Sequence, residues 1–307
     1  MNQKIKLIIN PVAGNNAFQK AKDEFHQAVF ALLGDVSTAF TTAVGEATRL
    51  AQNALRDGYR TIVAVGGDGT INEVVNGFFE DGRPVSPEAE LAVISMGTGG
   101  DWVKTLELPE ELHEAAKRIA EGRTKLCDVG LLTCRSSDDR PVQRYFINIA
   151  DAGFGGTMVE RVNQSTKALG QFFAYLIGLL RTLAVYKNKP VEIQVDDVFH
   201  ATQVVNSVVV ANGQFFGGGM WVAPEAKLDD GLFDVVIIGD VNRAEVLANT
   251  HRLYNGTLGR HHKVTTLRGK EITLRSEHDV YIEADGELPG KLPAKFQLIP
   301  TALRIIC

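Results

Sequence analysis

The stretch Ile62-Val63-Ala64-Val65-Gly66-Gly67-Asp68-Gly69-Thr70-Ile71-Asn72-Glu73-Val74-Val75-Asn76-Gly77 restricts the chain more than any other. Its short β-branched apolar run reads as a buried strand. The run stops at Gly66, Gly67 and Gly69, packed around Asp68. A helical pattern follows, with Ile71, Val74, Val75 and Phe78 on one face and Thr70 and Glu73 spaced as a capping box. Glycine accepts positive φ and lets backbone approach a ligand closely. Strand, glycine turn and helix N-terminus together aim unpaired N–H groups and a positive dipole at an anion. The stretch therefore reads as a phosphate-binding turn, and Asp68 and Thr70 add polar groups that a plain turn does not require. It lacks the Lys-Ser/Thr ending of a P-loop, and Asn72 stands where a dinucleotide fingerprint needs glycine.

The same rhythm surrounds it. Strands are expected over 5–10, up to 41–42, over 62–65 and over 91–95. Between and after them lie helical patterns: Phe18, Phe25, Val29 and Leu32; then Ala47, Leu50, Ala51, Ala54 and Leu55, stopped by Gly58; and Leu112, Ala116 and Ile119 between Pro109 and Gly122. Such alternation predicts a three-layer α/β domain with a mostly parallel sheet. Ligands then bind at the carboxyl ends of the strands. After Asp128 strand-like runs follow one another, at 145–149, 191–195, 203–210, 234–238, 263–267, 271–275 and 280–283, with a hairpin tip at 195–198. Helices are expected only around 168–184 and 243–255. This predicts a β-rich, sandwich-like second domain over 129–291. The α/β domain covers 1–128, and residues from about 292 to 307 are open to returning to it.

Composition removes several classes of function. A formal net charge of −5 argues against broad electrostatic binding to nucleic acid. Cys127, Cys134 and Cys307 form neither a disulfide framework nor a zinc pattern, and read as reduced thiols in a cytoplasmic protein. No apolar run near the start is long enough for a signal peptide. The longest apolar segment, 169–183, is broken by Gly170, Gln171, Gly178, Arg181 and Thr182. It reads as an amphipathic helix with one edge available to a membrane surface, not as a bilayer span. His261-His262 has no third ligand at helical or hairpin spacing and reads as a loop. Asp229 and Asp230 beside Gly231 suit a hard cation or, equally, a hairpin turn. Glu283, Asp285 and Glu287 alternate, either as a solvated acidic turn or as carboxylates placed to take a proton from an attacking hydroxyl.

The run from Gly66 to Gly77 resembles the signature of the diacylglycerol kinase catalytic-domain family, which includes soluble bacterial lipid kinases and the sphingosine and ceramide kinases. Its Gly-Gly-Asp-Gly-Thr core is shared with NAD kinases, while the tail Asn72-Glu73 to Asn76-Gly77 favours the lipid kinases. The resemblance extends over essentially the whole chain. Asn10-Pro11 with Gly14 is similar to the family's first nucleotide loop, and Thr41 to a nucleotide-contacting threonine. Met96 to Trp102 resembles its Gly-Thr-x-Asn-Asp-Phe turn, with Thr98 and Asp101 matching and Gly100, Trp102 and Lys104 departing. The resemblance implies that ATP is held by Asn10, Pro11, Gly14, Thr41, Gly66, Gly67, Asp68, Gly69, Thr70, Asn72, Glu73 and Thr98. It implies a structural Mg²⁺ on Asp230 and the carbonyls of Lys227 and Leu232, linked through water to Asp128 and Asp68. The segment 282–287 resembles the family's catalytic Asp-Gly-Glu, which implies Glu287 as proton acceptor with Asp285 in support, or the two roles exchanged.

The implied protein is an ATP- and Mg²⁺-dependent lipid kinase, cytoplasmic and peripheral to the membrane, with its active site in the cleft between domains. Diacylglycerol is the leading acceptor, beside sphingoid bases, ceramide and phosphatidylglycerol. A homodimer is compatible with the resemblance. The alternatives are a soluble-substrate kinase of the NAD kinase type and a non-catalytic lipid- or nucleotide-binding relative, the latter motivated by Gly100, Lys104 and Trp221.

Overall fold

The computed structural model describes residues 4–96, 100–164 and 182–307. Thr98 lies outside these, and so does all but the end of the helix expected around 168–184. The described residues form two units, Met1–Val129 with Ile299–Cys307, and Gly130–Leu298.

In the first unit every residue of the strand Thr61–Gly66 is buried. Only a central strand covered on both faces tolerates so continuous an apolar run. It pairs in parallel with Ile5–Ile9 on one side and Glu90–Ser95 on the other. Ser37–Phe40 extends the sheet beyond Ile5–Ile9, and the end of Glu287–Ile306 lies parallel to Glu90–Ser95. Phe18, Phe25 and Val29 pack on Leu7, Ile9, Val63 and Val65 from the helices Ala13–Lys20 and Lys22–Leu33. The first helical stretch is thus two helices, divided at Ala21. Pro109 does not start the last helix of this unit. Leu112–Glu121 begins after Glu111, whose carboxylate accepts the N–H groups of His113 at 3.0 Å and Glu114 at 2.9 Å.

The second unit is antiparallel. Val264–Gly269, Phe233–Ile238, Ser207–Ala211, Ile149–Gly153, Tyr281–Ala284 and Glu287–Ile306 lie side by side in that order. The hairpin Lys189–Val195 and Phe199–Val205 joins Glu271–Arg275, which pairs with the same long strand. Val191, Ile193 and Val195 share one core with Val208, Val210, Phe233 and Val235. This is the sandwich that the alternating pattern predicts.

Strand ends differ from expectation where polar residues turn the chain. The run 145–149 divides into Pro141–Phe146 and Ile149–Gly153, and 203–210 divides at Asn206. Asn206 leaves its own ladder, because its N–H donates to Ile238 at 2.8 Å and its carbonyl accepts from Phe154 at 3.1 Å. Thr124–Arg135 is a strand that the apolar pattern does not announce, since Lys125, Asp128 and Gly130 dilute its signal. Glu287–Ile306 is one strand although Pro293 and Pro300 interrupt its pattern. Among the described residues no helix is long and apolar enough to cross a membrane.

Candidate active site

The glycine turn closes the strand Thr61–Gly66 and opens the helix Asp68–Asn76, whose N-cap is Gly67. Thr70 therefore sits inside the first turn and does not cap it. Its Oγ1 accepts a hydrogen bond from Asn10 Nδ2 at 3.0 Å, while Asn10 Oδ1 accepts the N–H of Val12 at 3.2 Å. Asn10 thereby ties the loop after the first strand to the glycine turn. Glu73 also departs from the expected capping box. Its carboxylate accepts the N–H of Gly45 at 2.8 Å and of Ala47 at 3.1 Å, and so caps the neighbouring helix Glu46–Arg56. Asn72 is fully buried and pairs with Asn76 Nδ2 at 3.1 Å. The N–H of Thr41 donates to Ile9 at 2.9 Å, placing the loop after Ser37–Phe40 beside that of Asn10, Pro11 and Gly14.

The glycines of this region divide by cause. A Cβ on Gly14, where φ is +58°, would lie 2.0 Å from the Met96 carbonyl oxygen. One on Gly66 would lie 2.6 Å from Thr70 Oγ1. Both glycines are required by packing within the protein. At Gly69 a Cβ would meet nothing within 4 Å. Among the described residues nothing covers that face of the helix N-terminus.

Asp68 lies beside a second carboxylate, Asp101, at the start of the helix Asp101–Thr105. Burial first, and then the charge of Asp101, raises the Asp68 carboxyl above its ordinary value. The N–H groups of Asp101 and Gly100 partly offset this. Asp68 Oδ1 is buried with no hydrogen-bond partner among the described residues. An orphaned oxygen beside a second carboxylate suits a divalent cation carried on phosphate oxygens. Gly100 sits at φ +63°, which glycine and asparagine both accept, so its departure from the family's Asn leaves the backbone undisturbed.

The second acidic cluster belongs to the other unit. Asp285 and Gly286, at φ +48° and +85°, turn the chain between Tyr281–Ala284 and Glu287–Ile306. Asp285 accepts three backbone N–H groups: Ile147 at 2.9 Å, Asn148 at 3.0 Å and Ile149 at 3.1 Å. Its own N–H donates to Ile149 at 2.9 Å. Asp285 is thus a clamp, holding three backbone N–H groups through both of its oxygens. Glu287 faces a different partner, since its Oε2 accepts from Arg144 Nη2 at 2.7 Å.

Behind this turn two buried carboxylates oppose each other across paired strands, Asp151 and Glu283. Asp151 Oδ2 accepts from the Gly155 N–H at 2.8 Å and Ser207 Oγ at 3.3 Å, while Oδ1 has no partner. Burial raises the Asp151 carboxyl from 3.8 to about 7, and burial with the Asp151 charge raises Glu283 well above its ordinary value. Tyr186 faces Asp151, and its hydroxyl donates to the Asn206 carbonyl at 3.0 Å. The folded form therefore holds a proton that the unfolded chain releases. Stability is unaffected by Asp151 below about pH 4, falls as pH rises toward 7, and stays lowered above that. Asp151→Asn is expected to be more stable than the parent by about 3 kcal/mol at pH 8 and by no more than about 1 kcal/mol at pH 4.5, as read by urea unfolding at each pH.

The loop of Lys227, Asp230 and Leu232 has its own internal partners. Asp230 Oδ1 accepts the Leu232 N–H at 3.2 Å, and Oδ2 pairs with Arg268. The same guanidinium reaches Asp234 at 3.3 Å. Both oxygens of Asp230 already carry protein donors, so a cation there competes with Arg268. Asp128 is buried and accepts the Thr301 N–H at 2.7 Å. Among the described residues no group of three or more His, Cys, Asp and Glu is placed to hold a metal.

Sequence reasoning missed Arg144, Asp151 and Arg268. Asp151 carried a signal, a lone charge inside the apolar run 146–152. Arg144 carried none, because its partner lies 143 residues away.

Comparison with known proteins agrees with this anatomy. Residues 4–132 match the diacylglycerol kinase catalytic domain, and residues 148–307 match the YegS C-terminal NAD kinase beta sandwich-like domain. A diacylglycerol kinase of Staphylococcus epidermidis is 32% identical over 297 residues, covering 96% of this chain and 89% of the relative. A diacylglycerol kinase of Staphylococcus aureus is 32% identical over 300 residues, covering 96% and 90%. Among solved structures, a diacylglycerol kinase from Bacillus anthracis shares the fold at a TM-score of 0.72 and 22% identity, covering 99% of this chain and 96% of the other. An NAD kinase from Archaeoglobus fulgidus, solved in complex with ATP, has a TM-score of 0.50 at 16% identity, covering 99% and 93%. The chain belongs to the diacylglycerol kinase family of lipid kinases.

Proposed function

We propose that the protein transfers the γ-phosphoryl group of ATP to the free hydroxyl of diacylglycerol or a closely related lipid alcohol, with Mg²⁺. The face at Gly69 that no described residue covers, on the N-terminus of the helix Asp68–Asn76, carries this reading. Backbone N–H groups from Gly66 to Thr70 hold the phosphates, with the helix dipole behind them. Asn10 and Thr70 fix the adjoining loop, while Glu73 and Asn72 serve the site by bracing its helices. Asp68 with Asp101 suits the Mg²⁺ that accompanies ATP, which supplies charge neutralisation as phosphoryl transfer develops. In the second unit Glu287 accepts the proton of the lipid hydroxyl, while Asp285 holds the turn in shape. The lipid is met at a membrane surface, with peripheral contact.

The test is incubation with γ-labelled ATP, Mg²⁺ and separate micellar lipids, namely dioleoylglycerol, sphingosine, ceramide and phosphatidylglycerol, with NAD as a soluble control. Label is expected on dioleoylglycerol or another of these lipids. Label on NAD alone would overturn the lipid acceptor. In the same assay Gly69→Ala is expected to raise KM for ATP at least tenfold while melting no lower than the parent, since alanine suits an exposed helical position better than glycine by up to about 1 kcal/mol.

A further inference from the structure

The stretch from Arg144 to Ile149 holds both members of the acidic turn at once. The backbone N–H groups of Ile147, Asn148 and Ile149 bind the carboxylate of Asp285. Earlier in the same stretch, Arg144 reaches Glu287 Oε2 at 2.7 Å. Arg144 sits in the strand Pro141–Phe146, opposite Leu132, on the same face as the buried Phe146. That packing fixes where its guanidinium can go. The side chains of Arg144 and Glu287 are 23% and 30% exposed, so the pair is partly shielded from water. A partly shielded guanidinium-carboxylate contact is directional as well as attractive.

We propose that Arg144 is the positioning residue of Glu287: it holds one carboxylate oxygen through Oε2 and so aims the other at the acceptor hydroxyl. This rests on the reading of Glu287 as proton acceptor. Arg144 touches neither substrate nor nucleotide in this role. It acts through Glu287 alone, in two ways. It keeps the carboxylate ionised at lower pH, because an adjacent positive charge favours the charged form. It also removes the rotamer freedom that would leave the acceptor oxygen pointing elsewhere. Asp285 and Glu283, in the same turn, are acidic, and the positive charge of Arg144 acts against theirs.

The experiment compares the parent with Arg144→Ala, Arg144→Lys and Glu287→Gln, using γ-labelled ATP, Mg²⁺ and dioleoylglycerol in mixed micelles, or whichever panel lipid accepts label. Arg144→Ala is expected to lower kcat at least tenfold and to move the acidic limb of kcat/KM upward by about one pH unit. Arg144→Lys is expected to restore the position of the limb but only part of kcat, since an ammonium keeps the charge and loses the planar fork. Carboxyl-carbon NMR of glutamate-labelled protein, with the Glu287 signal assigned by its loss in Glu287→Gln, is expected to show the same upward shift without any substrate. An unmoved limb and an unmoved NMR titration in Arg144→Ala, with Glu287→Gln inactive, would overturn the positioning role and leave the base reading standing. Full activity in Glu287→Gln would instead overturn the base reading, and the role of Arg144 with it.

Discussion

Glu287→Gln is expected to lower kcat by a factor of about 10²–10⁴ while the protein melts within about 2 °C of the parent. Glutamine keeps the length and shape of the side chain and can still accept from Arg144, but its amide cannot take a proton. The lost ion pair has a partly exposed partner on each side, so its contribution to stability is small. Turnover and melting therefore separate. Steady-state kinetics on the accepted lipid, with calorimetry of the same sample, checks both halves. Near-parent turnover would remove Glu287 from the proton-acceptor role.

Asp285→Ala is expected to show the reverse balance, with a stability loss that precedes any catalytic defect. Three backbone N–H groups at 2.9, 3.0 and 3.1 Å lose their acceptor together. Each buried donor left unpaired costs about 1–3 kcal/mol. Alanine at φ +48° adds about 1 kcal/mol of backbone strain that aspartate tolerates better. Even at the lower end of that range the total is about 4 kcal/mol, which corresponds to a melting decrease of about 10 °C for a unit of this size. Asp285→Asn, which keeps an acceptor oxygen and accepts positive φ, is expected to recover about half of that. Calorimetry of both variants decides the matter, and an Asp285→Ala protein that melts with the parent would show that the three contacts are dispensable. The contrast between the two carboxylates lies in what binds them. Asp285 is tied to backbone on several sides, and Glu287 meets a side chain whose charge favours its ionised form.

Much of the first unit is legible in the order of residues alone. A fully buried parallel strand such as Thr61–Gly66 must be apolar over most of its length, and the glycine turn follows it directly. Both are local properties, visible over a dozen residues. The roles of Thr70 and Glu73 are not legible in this way, because spacing alone cannot say which helix a carboxylate will cap. Glu73 reaches Gly45, 28 positions earlier, because the helices Glu46–Arg56 and Asp68–Asn76 pack together. The strand divisions at Ile147-Asn148 and Asn206 are also hidden, since the apolar run continues through the first and only a single Asn marks the second.

The motif from Gly66 to Gly77 and the distant Asp285-Gly286-Glu287 are written in short runs of residue types, and they are enough to name the fold class and the family. Which carboxylate clamps and which one acts depends on partners brought together by sheet pairing. Asp285 meets the amides of 147–149 because Tyr281–Ala284 lies antiparallel to Ile149–Gly153, and Glu287 meets Arg144 across 143 residues of chain. Arg268 reaches Asp230 because its strand pairs with Phe233–Ile238, which the loop holding Asp230 precedes. Local patterning encodes what a turn can bind, whereas long-range register decides which side chains are placed to do it.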